Sequence, residues 1–266
     1  MKHHTQLALK FYKFEGTGND FIIVDNRSLT FPKSRNIIEQ MCQRRTGIGA
    51  DGLMLLEKSE DAHFKMVYYN ADGQESTMCG NGGRCIVAFA QMLGIVDKSA
   101  VFEAIDGKHK AWIIEDIVSL ELNVRSLPRN DEHGYFVDTG SPHLVVPVEN
   151  PEHIDVDREG RKIRYAQCFD KLGGVNVNFM SAPDESSRIF VRTYERGVEA
   201  ETLSCGTGVT AAALVASVLY GINDSVTVMT KGGALRVGFS KDSQTFDRIS
   251  LTGPAHFVFD GNYLPK

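Results

Sequence analysis

The chain has no excess of basic residues: 29 Lys and Arg stand against 34 Asp and Glu, for a net charge of −5 over 266 residues. A general nucleic-acid binder shows a basic face or tail, so no nucleic-acid partner is expected. No apolar run approaches the ~20 residues of a membrane-spanning helix, and none is expected to enter a bilayer. The first residues, Met1 to Lys10, lack the apolar core of a secretory signal. They read as a short extension, with His3 and His4 on a solvated tail of a cytoplasmic protein. Cysteine is scarce and odd in number, five in all, without the even, close spacing of a secreted disulfide scaffold. Cys79 and Cys85 are six positions apart, wider than the usual arm of a structural zinc site, and no second pair completes one, so no metal is expected. The glycine-rich stretches do not fit the phosphate-binding pattern G-x-x-x-x-G-K-[ST]. Gly16-Thr17-Gly18 lacks the helix and third glycine of a dinucleotide site.

What the chain does have is one short phrase used twice. Cys79-Gly80-Asn81-Gly82 and Cys205-Gly206-Thr207-Gly208 each read Cys-Gly-polar-Gly, and each runs into an apolar, alanine-bearing stretch of helical character. The two cysteines are 126 positions apart, close to half the chain. Strand and turn patterns precede each of them. Phe11 to Asp25 reads strand, glycine turn, strand, and a helix is expected near 34–45 from Ile37, Ile38, Met41 and Cys42. Gly140 to Val146 takes the place of Gly18 to Val24, and Gly173 to Phe179 that of Gly47 to Leu53. Helices are expected from about Asn81 to Leu93 and from about Thr207 to Tyr220, with strands after each, including Ser119 to Val124. The polar, proline-broken segment Ser126 to Gly134 reads as a linker. One α+β unit used twice is the expected architecture, with an active cleft where the copies meet. The boundaries read as 9–127 and 134–254, with a final strand in 255–266 crossing back to the first lobe.

Chemistry follows from the repeated phrase. A cysteine works as base or nucleophile through its thiolate, and a helix N-terminus can lower its pKa below the usual ~8.5. The same amides can hold a carboxylate, and the flanking glycines let backbone approach a ligand closely. Two such thiols suit inversion at a carbon, one taking a proton from one face while the other delivers a proton to the opposite face. A single cysteine is usually a small buried hydrophobe, and Cys42, Cys85 and Cys168 are read that way. The duplication is what separates Cys79 and Cys205 from them.

The chain resembles the diaminopimelate epimerases over nearly its whole length. The matching stretches are GTGNDFIIVD (16–25), RRTGIGADGL (44–53), YNADGQESTMCGNGGRC (69–85), GSPH (140–143), NVNF (176–179), YERGVEAETLSCGTG (194–208) and LTGPA (251–255). The resemblance implies an α+β fold of two pseudo-symmetric lobes, each a rolled, mostly antiparallel sheet around a central helix. It implies an enzyme that interconverts LL- and meso-2,6-diaminopimelate without pyridoxal phosphate, metal or other cofactor, in lysine and cell-wall precursor synthesis, as a cytoplasmic homodimer. Cys79 and Cys205 would be the acid–base pair. Gly80, Asn81 and Gly82, with Gly206 and Thr207, would hold the reacting carboxylate. Asn19, Asn70, Asn176, Glu195 and Arg196 match positions that bind the substrate's ammonium and carboxylate groups. Ser141 stands where the family often has Asn, and Gly52 where some relatives carry Gln, so contact with the distal end of the substrate is expected to be shifted. His143, in the same motif as Ser141, would shape the site or relay protons, or equally make a structural hydrogen bond. The alternatives are a proline or hydroxyproline epimerase of the same fold, whose members tend to have His where this chain has Asn81, and a non-catalytic amino-acid-binding protein.

Overall fold

Two strands that alternate in both directions begin the fold. In β1 (Leu9–Gly16) and β2 (Asn19–Asp25), successive side chains point to opposite faces of one sheet, and both faces are covered. Ile22 and Val24 pack with Ile38 and Met41 of α1 (Arg35–Cys42), whose first turn is capped by Ser34 accepting from the Ile37 amide at 3.4 Å. The next strand, β3 (Gly52–Glu57), is buried at every position, as expected of a strand covered on both sides. It is followed by β4 (Phe64–Asn70), the short β5 (Glu75–Ser76) and α2 (Gly80–Met92). Then come β6 (Ser99–Ala104), β7 (Gly107–Ile114) and β8 (Ile117–Glu121). α2 is buried nearly all round and packs against β1, β2, β3 and β7. Its Phe89 stacks beside Tyr12 and Phe14, with ring centroids 4.8 and 5.9 Å away. Burying one such ring contributes on the order of 1.5–3 kcal/mol.

The computed structural model describes residues 8–124, 126–242 and 245–265. The N-terminal extension with its two histidines lies outside the described residues. The chain divides into two units, one running to Val118 and resuming at Pro254, the other Ser119–Gly253. The second unit contains β9 (Arg129–Asp131), β10 (Gly134–Asp138), β11 (Pro142–Pro147) and α3 (Val156–Arg164). It continues with β12 (Asn176–Met180), β13 (Arg188–Glu195), β14 (Ala200–Thr202) and α4 (Gly206–Tyr220). β15 (Ser225–Thr230), β16 (Gly233–Lys241) and β17 (Phe246–Pro254) follow. The last strand, β18 (His256–Tyr263), returns to the first unit and pairs antiparallel with β1.

The pairing pattern of the two units is the same. β1–β2, β3–β4, β4–β5 and β6–β7 are antiparallel, while β2–β3 and β4–β6 are parallel. In the second unit β10–β11, β12–β13, β13–β14 and β15–β16 are antiparallel, while β11–β12 and β13–β15 are parallel. Each unit is therefore a mostly antiparallel mixed sheet with a buried central helix, α2 in one and α4 in the other. α4 fits its place by being narrow: Ala211, Ala212, Ala213 and Ala216 are fully buried, and the helix ends at Gly221 in the left-handed region (φ 71°).

Five features differ from the reading of the sequence. The segment expected to be a linker, 126–134, contains β9, which pairs with β10. A proline-broken polar stretch can serve as a strand when it sits at the edge of a sheet. The strand expected at Ser119 to Val124 begins earlier and ends earlier, at Ile117–Glu121. Helix α3 and strand β17 were not anticipated. α3 carries charge at six of its nine positions and a central Gly160, which hides its helical period. Gly160 is there because Tyr194 lies against it: a Cβ would come within 2.4 Å of the Tyr194 Cβ. Cys168, read as a buried hydrophobe, is exposed in a 3-10 turn over Gln167–Leu172, near Asp131 and Asp170. Cys42 and Cys85 are buried, and burial pushes the Cys42 thiol up to about 12.

Candidate active site

Each repeated Cys-Gly phrase is the start of a central helix. Cys79 is the N-cap of α2, in extended conformation, and its Sγ accepts from the Gly82 amide at 3.5 Å. Cys205 is the N-cap of α4, likewise extended. An N-cap position leaves the first-turn amides directed out of the helix, beside the thiol. The geometry thus places Cys79 with Gly80, Asn81 and Gly82, and Cys205 with Gly206 and Thr207.

In the first unit the neighbours of Cys79 form an ordered chain of amides. The Cys79 Sγ lies 3.7 Å from Asn19 Oδ1, which also accepts from Asn81 Nδ2 at 3.4 Å. The Asn19 Nδ2 is turned the other way and donates to Asp51 at 2.5 Å. Asp51 and Asp20 are bridged by Arg44, at 2.8 and 2.6 Å, and Lys13 reaches Asp20 at 2.6 Å. Burial works to raise the Asp20 carboxyl, but the bonds from Arg44 and Lys13 outweigh it and hold it below the usual carboxylate value. These charges fix which end of the Asn19 amide faces the thiol: an oxygen. Asn70 ends β4 opposite Gly52, at the same edge of the sheet, and is exposed. Gly52 itself has no room for a side chain, since a Cβ would meet the Tyr68 ring at 2.6 Å.

In the second unit Thr207 and, behind it, His143 lead to Cys205, while Ser141, Asn176 and Arg196 are bonded to one another. Asn176 Nδ2 donates to Ser141 Oγ and to the Pro142 carbonyl, both at 3.0 Å, while its Oδ1 accepts from the Arg196 amide at 2.8 Å. Arg196 Nη1 donates to the Leu172 carbonyl at 3.0 Å and Nη2 lies 3.5 Å from Ser141 Oγ. Ser141 is thus held between Asn176 and Arg196. Glu195 Oε2 accepts from Thr202 at 3.0 Å.

His143 is fully buried, and its tautomer follows from its surroundings. Asn178 Nδ2 donates to the Leu144 carbonyl at 3.1 Å, and a carbonyl can only accept, so this end of the amide is the NH2. The same Nδ2 faces His143 Nδ1 at 3.2 Å, which must therefore accept. The ring proton is on Nε2 and donates to Thr207 Oγ1 at 2.9 Å. The Thr207 hydroxyl proton is left to turn towards Cys205 Sγ, 3.5 Å away. Burial, and then the Arg196 charge, push His143 down to about 3, so the ring is neutral at physiological pH. Two residues of this site escaped the reading of the sequence. Asn178 stands in the matched stretch NVNF but shows its role only through its cross-strand neighbours. Arg84, inside the first Cys-Gly stretch, is buried beneath it.

No group of three or more His, Cys, Asp or Glu arranged to hold a metal ion occurs among the described residues.

The fold is shared with proteins of quite different sequence. A solved PhzF-family phenazine biosynthesis protein from Bacillus anthracis superposes with a TM-score of 0.74 at 17% identity, covering 97% of this chain and 99% of that one. Similarity at that identity defines the architecture alone. Sequence goes further. The family model for diaminopimelate epimerase matches residues 11–117 and 135–258. The diaminopimelate epimerase of Flavobacterium psychrophilum is 50% identical, covering 95% of this chain and 99% of that protein. That of Chlorobaculum tepidum is 46% identical, covering 92% and 98%. The chain belongs to the diaminopimelate epimerase family.

Proposed function

We infer that the protein interconverts LL- and meso-2,6-diaminopimelate by two-base proton transfer, with Cys79 and Cys205 as the acid–base pair. The observation that supports this most is the duplicated helix start: two units of identical strand pairing each present one N-cap cysteine beside first-turn amides. Two-base inversion at an α-carbon uses a base on one face and an acid on the other, and a thiolate and a thiol can supply them. The reaction as proposed draws on these side chains and no cofactor. One thiolate takes the α-proton, negative charge develops on the α-carboxylate, and the other thiol returns a proton to the opposite face. The amides of Gly80, Asn81, Gly82, Gly206 and Thr207 are suited to hold that carboxylate as its charge grows.

The remaining polar residues fit the second amino-acid end of the substrate. Arg196 keeps a planar fork for a carboxylate, and Glu195 can meet an ammonium. Asn176 has spent both amide protons on Ser141 and Pro142 and retains one oxygen lone pair, so it can accept from an ammonium but not donate to a carboxylate. Asn19, Asn70 and Ser141 complete the proposed substrate-binding set, and His143, buried with both ring nitrogens engaged, acts through Thr207. Ser141, braced by Asn176 and Arg196, reaches less far than the Asn found in relatives.

The proposed location is the cytoplasm: five cysteines without the even, close spacing of a disulfide scaffold suit a reducing compartment. The proposed assembly is a homodimer, and Phe257, Val258 and Phe259 of β18 are exposed apolar residues available for it. Sedimentation velocity checks that expectation. The function is tested by incubating reduced protein with LL-diaminopimelate in D2O without added cofactor. Deuterium entering the α-position together with formation of the meso isomer is the expected result. Exchange with proline or hydroxyproline and none with diaminopimelate would transfer the protein to the alternative epimerase class.

A further inference from the structure

A charge without a counter-ion lies under the first helix start. The Arg84 side chain is fully buried. Its Nη1 donates to the Gly80 carbonyl at 3.2 Å, and its Nη2 to Asn81 Oδ1 at 3.1 Å and Thr17 Oγ1 at 3.3 Å. Its Nε donates to the Pro254 carbonyl at 3.4 Å. All four acceptors are neutral, and no ion pair to Arg84 is formed among the described residues. A buried cation without an anion is strongly destabilising, and a guanidinium does not escape by losing its proton.

The setting is built to keep it there. Thr17 adopts the left-handed conformation (φ 54°), uncommon for a β-branched residue, and so holds its hydroxyl against the guanidinium. Gly16 has no Cβ, which would come 3.4 Å from Arg84 Nη2 and 3.2 Å from Cys85 Sγ. Burial lowers the Arg84 pKa, and the groups whose negative charge would oppose that are Cys85, Cys79 and Glu15. Cys85 is not available as an anion, because complete burial drives its thiol far above the usual range. Glu15 is engaged on the outer side of β1, with His256 at 2.6 Å and the Gly18 amide at 3.0 Å. Asp106, the carboxylate that accepts from the Met78 amide, faces His109 at 3.2 Å. Cys79 remains.

We propose that Arg84 is a buried positioning residue whose charge has the Cys79 thiolate as its intermittent counter-ion and whose fork fixes the Asn81 amide. This rests on the reading of Cys79 as one of the two acid–base thiols. Because Arg84 holds Asn81 Oδ1 inward, the Asn81 Nδ2 must face outward towards Asn19 Oδ1, the atom that also meets the thiol. One side chain thereby sets both the ease of ionising Cys79 and the amide order around it.

The test is alkylation of the full-length reduced protein by iodoacetamide as a function of pH, with Cys79 and Cys205 read separately by peptide mass spectrometry. In the wild type, Cys79 should titrate below the ordinary thiol value of about 8.5. Arg84→Gln should raise its midpoint by about one unit, so that alkylation at pH 7 slows about tenfold, while Cys205 is unchanged. Arg84→Lys, which keeps the charge, should titrate near the wild type yet lower kcat, because the Asn81 amide is no longer held by a fork. An unshifted Cys79 in folded R84Q protein overturns the proposal. If R84Q does not fold, a wild-type midpoint at or above about 8.5, or an R84K shift of tenfold or more, overturns it. The readout needs no substrate, so it is separate from the acid–base assignment: full turnover in Cys79→Ser would refute that assignment whatever the titration shows.

Discussion

The two helix starts share a backbone, with its first-turn amides, and differ in the side chains set around the thiol. At the first, Cys79 lies against an amide oxygen and caps a helix whose first turn accepts from the buried Arg84 guanidinium, with charged Asp20, Asp51, Lys13 and Arg44 behind. At the second, Cys205 ends a neutral chain that runs from Asn178 through His143 to Thr207. The position five residues after the cysteine shows the contrast directly: Arg84 in one unit, Thr210 in the other, where it merely bonds back to the Gly206 carbonyl at 2.9 Å. Duplication supplied two similar frames, and side chains then gave one thiol a charge and the other a directed hydroxyl. A reaction that runs in both directions between non-identical isomers does not require its two thiols to be tuned alike.

The contrast is sharpest one turn into each helix. Gly208 has no space: a Cβ would come 2.2 Å from Asn178 Oδ1 and 3.3 Å from His143. Gly208→Ala should therefore displace the Asn178–His143 pair and cost about 1–3 kcal/mol, with turnover reduced about a hundredfold, as read by thermal unfolding and steady-state kinetics. The matching Gly82→Ala places its Cβ 3.2 Å from the flexible Met54 sulfur and 3.5 Å from Phe21. Gain in helix propensity there is worth up to about 1 kcal/mol, so the net change in stability should be close to zero. Equal damage from both substitutions would break the comparison.

A smaller effect tests the direction of the neutral chain. Asn178→Asp puts a carboxylate against His143 Nδ1 and should draw the ring proton to that nitrogen. Thr207 would then donate to Nε2 rather than to Cys205. We expect about tenfold slower alkylation of Cys205 at pH 7, no change at Cys79, and a switched tautomer in the 15N spectrum of the imidazole. An unchanged tautomer would remove Asn178 from the account.

A further effect concerns stability. His143 is held near a pKa of about 3 in the folded protein against 6.5 for an ordinary histidine. Between those values the unfolded chain binds a proton that the folded chain does not, so stability should fall as pH drops from about 6.5 towards 3. His143→Gln should flatten that part of the profile in urea unfolding. A profile unchanged by the substitution would mean the ring is not buried neutral.

The two helix starts were legible in the sequence, whereas much of the strand pairing was not. The doubled Cys-Gly-x-Gly phrase marks both helix starts because N-caps and glycines act locally, within a few residues. The parallel pairings β2–β3 and β11–β12 bring together strands separated by a helix or a long loop, and nothing in either strand alone states the partner. α3 was obscured because Gly160 answers to Tyr194, a residue 34 positions away. Arg84 and Asn178 were hidden for a related reason. A charged residue in an apolar run and an asparagine in a strand gain meaning only from what lies across from them.

In the proposed two-base mechanism each unit provides one thiol for one face of the α-carbon. The most direct test of that mechanism is to follow inversion and α-deuterium exchange of both LL- and meso-diaminopimelate in D2O with Cys79→Ser and with Cys205→Ser. Neither variant should convert one isomer to the other, with rates down at least about a thousandfold in both directions. Sustained interconversion by either single-thiol protein would contradict the account.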